Sequence, residues 1–279
     1  MRSRTLTREE FTEVAVYVRD KVLRLCQMVG HTMLAFLQAT GGFFFFTMRA
    51  ISHCLRPPLY LSQLGRQLVD IGYYCLPVVG LTGLFGGMVI ALQSYTGFAR
   101  FSAQGALATV VVLSVTRELG PVLSGLMVAG RIGAAIAAEL GTMRVTEQID
   151  ALTTLSANPV KYLVVPRILA GTLMLPVLVL MADIIGVFGG FLVGVYRFDF
   201  NAADFVHDAW DILEPIDVIS GLVKASVFGF IVTLMGCYFG FHSKGGAQGV
   251  GSATTNAVVS SSILILVFNY ILTGIFFSS

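Results

Sequence analysis

Long apolar runs constrain this chain more than any other feature. Five of them, at about residues 73–97, 105–138, 163–196, 217–241 and 256–278, each exceed the roughly 20 residues that an α-helix needs to cross a bilayer. In lipid every backbone N–H and C=O must be satisfied within the protein, which leaves helices and closed barrels as spanning structures. A barrel would show segments of about 10 residues with alternating polarity, whereas these runs are continuous and rich in glycine. Only 12% of the residues are charged and 56% are hydrophobic, against about 25% charged in soluble domains. The expected fold class is an all-α integral membrane protein, a single membrane domain over residues 1–279 with about five transmembrane helices.

Two interruptions of the apolar pattern organise the rest, and both fall between Arg117 and Pro159 (RELGPVLSGLMVAGRIGAAIAAELGTMRVTEQIDALTTLSANP). The first is charge inside a span. Arg117 and Glu118 lie about 12 residues into theirs, roughly 18 Å along a helix axis and near the bilayer middle. A charge there costs at least about 2.5–3.5 kcal/mol, so such residues face a bundle interior or a wet cavity. They either line a path for an amphiphile or form an ion pair that locks two helices. Arg131 follows after close to four helical turns and is expected to share their face. Lys224 sits near one end of the fourth span. Arginine and lysine at these places either hold a phosphate headgroup or snorkel to the interface. Asp183 is a lone intramembrane carboxylate with no second aspartate placed as its partner. The 105–138 run is too long for a straight crossing, and Gly120-Pro121 is the expected kink because proline removes a backbone hydrogen bond.

The second interruption is a polar connector between two spans. Over about 143–157, Met143, Ile149, Leu152 and Leu155 alternate at helical spacing with Arg144, Glu147, Gln148 and Asp150, and Pro159 ends the segment. It reads as a cytoplasmic coupling helix on which a soluble partner docks, the plainer reading being an ordinary loop.

Residues 5–29 place Phe11, Val14, Val18, Val22 and Leu25 at helical spacing with charges opposite. This predicts an amphipathic helix on the membrane surface or one packed on a soluble partner. Residues 32–48 are apolar but short and contain Gly41-Gly42, and basic residues flank them on both sides, so a re-entrant or short membrane segment is expected there. Gly83 to Gly87 and Gly236 to Gly240 have GxxxG spacing, which serves close helix packing either within the chain or at a dimer seam. Residues 197–216 read as an acidic loop and 242–255 as a glycine-rich loop. Lysine and arginine cluster near the N-terminus and the connector, which places both in the cytoplasm and the acidic loop outside.

Several chemistries are not signalled. Net charge is +2, which supports no nucleic-acid partner. The four cysteines lack CxxC spacing, so neither a disulfide framework nor a zinc site is expected, and the scattered histidines suggest no metal site. No phosphate-binding GxxxxGK[ST], HExxH or GxSxG occurs, so the chain has no catalytic set and is not expected to be an enzyme. Residues 1–30 carry no apolar core followed by a cleavage site, so no signal peptide is expected.

The stretch LSVTRELGPVLSGLMVAGRIGAAIAAELGTMRVTEQIDAL (113–152) resembles the signature of the MlaE/YrbE permeases, the membrane subunits of ABC systems that move lipids through MCE-domain proteins. ALQSY (91–95), NPVKYLVVPR (158–167), GGFLVGV (189–195), LVKASVFGF (222–230) and TTNAVVSSS (254–262) extend the similarity over most of the chain. The resemblance implies a homodimer in a Gram-negative inner membrane, with its N-terminus cytoplasmic and an outward-facing lipid cavity between subunits. It implies an ABC ATPase, which binds ATP and Mg, docked on the connector. It further implies a periplasmic MCE-domain partner, a STAS-domain protein on the ATPase, and a role in phospholipid transport and outer-membrane asymmetry. No cofactor is implied in this chain. Arg117 and Glu118 would lie in or beside the cavity, with Lys224 internal. Some members carry an aspartate where this chain has Asn269, so a charge partner for Lys224 is either missing or supplied by Glu118. A scaffold that tethers an MCE protein without moving lipid is the alternative.

Overall fold

The computed structural model describes residues 21, 27, 30, 31, 33, 34, 37, 38, 40–54, 56, 60–98 and 107–277. The chain divides into two units, Met1–Arg49 and Ala50–Ser279. In the first, residues 40–49 are helical straight through Gly41 and Gly42, with Phe44, Phe45 and Met48 exposed. The amphipathic helix expected over 5–29 lies outside the described residues apart from positions 21 and 27.

In the second unit the described residues form helices and no strand. They are α1 (Leu61–Gly72), α2 (Leu76–Phe98), α3 (Leu107–Val145), α4 (Gln148–Thr154), α5 (Val160–Phe198), α6 (Ala202–Ile212), α7 (Pro215–Phe241) and α8 (Gly246–Phe277). Five segments are long and apolar enough to cross a membrane: α1 with α2 across the short Tyr73–Cys75 turn, then α3, α5, α7 and α8. The 39 residues of α3 would reach roughly 58 Å at 1.5 Å per residue, close to twice the hydrocarbon core. A helix of that length must tilt, bend or extend past the lipid, and Arg144 lies in its last turn.

Glycine sets the packing. Helices in lipid gain little from burying apolar side chains against one another and associate through close backbone contact. A Cβ at Gly83 would stand 2.7 Å from the Ala182 carbonyl, and one at Gly240 would stand 2.9 Å from that of Ala137. Both GxxxG pairs are thus spent within the chain, the first joining α2 to α5 and the second joining α7 to α3. α5 is the central element, packed by α1, α2 and α7. α8 leaves Val259, Ile263, Leu266, Tyr270 and Ile275 exposed.

Three sequence expectations are corrected. The acidic 197–216 stretch is not a plain loop: Asn201 accepts a hydrogen bond from the Ala203 amide (3.0 Å) and starts α6, which buries Phe205. The glycine-rich 242–255 stretch is a loop only to Gly245, because Gly245 and Gly246 take positive φ (90° and 67°) and make the turn. Beyond them the chain is helical, and Val250 fits against Gly141 of α3. The connector helix is shorter than 143–157, since Met143–Val145 finish α3 and Glu147 takes a left-handed conformation (φ 58°) that breaks the hydrogen-bond series before α4.

Candidate functional site

α3 carries the charges because it is not a uniform α-helix. A π-helical turn occupies Val115–Leu119, where the Gly120 amide donates to the Val115 carbonyl. Such single turns insert a residue and recur at functional sites. Pro121 then falls in the first turn of the following α segment, where its missing N–H costs little. The π turn thus falls directly ahead of the Gly120-Pro121 pair. Pro121 has no N–H to offer the Arg117 carbonyl four residues earlier, and Lys224 Nζ of α7 donates to that oxygen instead (2.8 Å).

Two connected ion pairs follow. Lys224 is fully buried and its Nζ lies 2.8 Å from Glu118 Oε1. Nζ also donates to Thr273 Oγ1 (2.8 Å), and Asn269 Nδ2 donates to Glu118 Oε2 (2.8 Å), so α8 closes the site. Glu118 thus supplies the partner of Lys224, and Asn269 binds the carboxylate rather than the ammonium. Arg117 turns to the other side. Its Nε donates to Asp217 Oδ1 at 2.7 Å, with Asp217 fully buried and the Arg117 side chain 34% exposed. The guanidinium carbon lies 4.5 Å above the Phe277 ring, an attraction of cation to aromatic face. Asp217 serves the fold as well, because its Oδ2 accepts from the Glu214 amide (3.2 Å) in a capping box that starts α7.

Arg117, Glu118 and Lys224 are therefore brought together. Arg131 is not: it lies in a second π turn, Ala129–Gly133, with its side chain exposed. Asp217, Thr273 and Phe277 complete the site and were not singled out from sequence. The Glu-Pro-x-Asp run at 214–217 was the one local signal, as a helix start.

The connector residues sit at the far end of α3. Arg144 Nη1 and Asp150 Oδ1 are 2.6 Å apart across the turn between α3 and α4, both exposed. Glu147 and Gln148 are exposed and Leu152 is half-buried, while Ile149 is buried and Leu155 is 76% exposed. Glu139 Oε1 and Arg167 Nη2 (2.8 Å) tie α3 to α5 nearby.

A polar network threaded through an apolar bundle, with one helix running from it to an exposed connector, suits a transporter subunit. A family model described as Permease MlaE matches residues 64–275. A probable ABC transporter permease protein of Rickettsia felis is 60% identical over 256 residues, covering 92% of this chain and 99% of its own length. The Intermembrane phospholipid transport system permease protein MlaE of Haemophilus influenzae is 33% identical over 263 residues, 92% of this chain and 99% of its own. The chloroplastic Protein TRIGALACTOSYLDIACYLGLYCEROL 1 of Arabidopsis thaliana is 40% identical over 232 residues, 82% of this chain and 65% of its own.

Proposed function

The chain belongs to the MlaE permease family, and on that premise we propose that it is the membrane subunit of an ATP-driven transporter moving phospholipids between a Gram-negative inner membrane and a periplasmic MCE-protein conduit. The observation that carries this reading is the part-buried network of Arg117, Asp217, Glu118, Lys224, Asn269 and Thr273. A stable bundle has no need of four charges at that depth. A path for an amphiphile does need a polar station on an otherwise apolar route.

Each residue has a role. Asp217 holds Arg117 Nε, leaving the terminal guanidinium nitrogens as the paired donors that suit a lipid phosphate. Glu118 and Lys224 neutralise each other and fix α3 to α7 and α8. The lipid tails rest on apolar helix faces between two copies of the chain. ATP and Mg are bound by a partner ATPase seated on α4, and its closure moves α3. Because Arg117 and Arg144 ride on one helix, displacement of the connector reaches the polar station directly. The lipid then passes to or from the MCE conduit, and the exchange contributes to outer-membrane lipid asymmetry.

The test is ATP-dependent transfer of a fluorescent phospholipid by the complex reconstituted in liposomes. Arg117→Gln keeps a donor for Asp217 but removes the guanidinium. Transfer should fall about tenfold, equivalent to roughly 1.4 kcal/mol, while the ATPase still co-purifies. Normal transfer in this variant would remove Arg117 from the lipid path.

A further inference from the structure

α6 does more than cap the outer ends of α3 and α5. It covers part of an open apolar groove of about 430 Å³ walled by Ile184 and Phe188 of α5 and Val206 and Trp210 of α6, with Thr116 of α3, Val218 of α7 and Asp183 also in its lining. That volume lies within the roughly 300–1,000 Å³ of small-molecule sites. Asp183 is 7% exposed, and its Oδ1 is buried without a hydrogen-bond partner. Oδ1 itself packs against α3, where any Cβ at Gly120 would collide with it, and Gly120 does not line the groove, so the carboxyl is offered to the groove only through its other oxygen. A carboxyl in an apolar wall with nothing to bond is costly, and among the described residues none offers it a donor.

We propose that this groove is a binding site for a membrane-soluble molecule with an apolar body ending in one hydrogen-bond donor, an amine or a hydroxyl. The apolar body fills the space between α5 and α6, and the donor meets Asp183. An alkyl chain alone leaves the carboxyl as it was. An amine adds charge complementarity and finds the aromatic faces of Phe188 and Trp210 on its way. Thr116 and Val218, which line the groove, are next in sequence to Arg117 and Asp217, but no residue of the Glu118–Lys224 network itself lines it, and the proposal does not rest on the phospholipid reading.

Trp210 is the sole tryptophan of the chain and lines the groove, so it reports occupancy directly. The full chain in lipid nanodiscs is titrated with 11-bromoundecylamine, 11-bromoundecanol and 1-bromoundecane, whose bromine quenches a tryptophan in contact. Saturable quenching is expected with the amine or the alcohol, and only the shallow, non-saturating quenching of membrane partition with the bromoalkane. Asp183→Leu should weaken the saturable phase at least about tenfold. Ile184→Phe, at an exposed position, should weaken it by filling the groove and keeps the test independent of how Asp183→Leu folds. Saturation by the amine alone identifies a cationic ligand, and saturation by the alcohol as well identifies a neutral one. Equal quenching by the bromoalkane, or an unchanged saturable phase in both variants, overturns the proposal.

Discussion

At the residue scale the two halves of the Glu118–Lys224 pair are not equivalent. Lys224 is fully buried, whereas the Glu118 side chain is 38% exposed. Removing one partner of a buried pair costs about 3–5 kcal/mol because the other is left uncompensated. Glu118→Ala strands the ammonium with only neutral oxygens around it and should cost an amount in that range. Lys224→Met leaves a carboxylate that is not fully enclosed and keeps its bond from Asn269, and it should cost clearly less. Thermal unfolding of the two variants in the same detergent checks the order, and equal losses would mean that Glu118 is buried more deeply in the folded protein. The double replacement Glu118→Gln with Lys224→Met should recover part of the loss, as expected when a buried pair is replaced together. The intramembrane charges were legible in the sequence because they break an apolar run. Their partners were not: Asp217 lies 100 positions from Arg117 and Thr273 lies 155 from Glu118, and no local pattern encodes a contact at that separation.

At the element scale, helices here are positioned by where side chains are missing. Gly83 and Gly97 lie on the same helix, α2, in different surroundings. A Cβ at Gly83 would stand 2.7 Å from the Ala182 carbonyl, and one at Gly97 would meet nothing within 4 Å. Gly83→Ala should force α2 from α5 and destabilise by about 1–3 kcal/mol, the usual cost of overpacking. Gly97→Ala should be neutral or stabilising by up to about 1 kcal/mol, through its better helix propensity. Unfolding midpoints of the two variants check this, and similar shifts would place the seam elsewhere. The spans themselves were readable because length and apolarity are local properties. α6 was hidden because its acidic composition reads as solvated loop, although Asn201 as N-cap and Phe205 as anchor belong to a helix. The π turns of α3 were hidden as well. The first sits where Lys224, 107 positions on, bonds the Arg117 carbonyl, a contact that no local pattern encodes.

At the scale of the whole molecule, α3 is the element that links the two ends. It starts beside α6 and finishes at the exposed turn before α4. In the proposed orientation that turn faces the cytoplasm, and Glu147 and Asp150 form the acidic part of the surface offered to the ATPase. The Arg144–Asp150 bridge is exposed on both sides and is worth at most about 1 kcal/mol to the fold, so its residues can be changed without unfolding the bundle. Glu147→Lys together with Asp150→Lys should abolish co-purification of the ATPase while the protein stays monodisperse. Exchanging the pair, as Arg144→Asp with Asp150→Arg, restores an internal bridge but inverts the charges seen from outside. If docking fails in both, the partner reads the charge pattern itself. If the exchanged pair still binds, the bridge matters only for holding α4 in place, and Glu147 with the exposed Leu155 carries the contact. Retention of the ATPase in every variant would move its docking surface away from the connector. The coupling through α3 would then fall with it, because among the described residues no other helix runs from the polar network to an exposed turn carrying this charge.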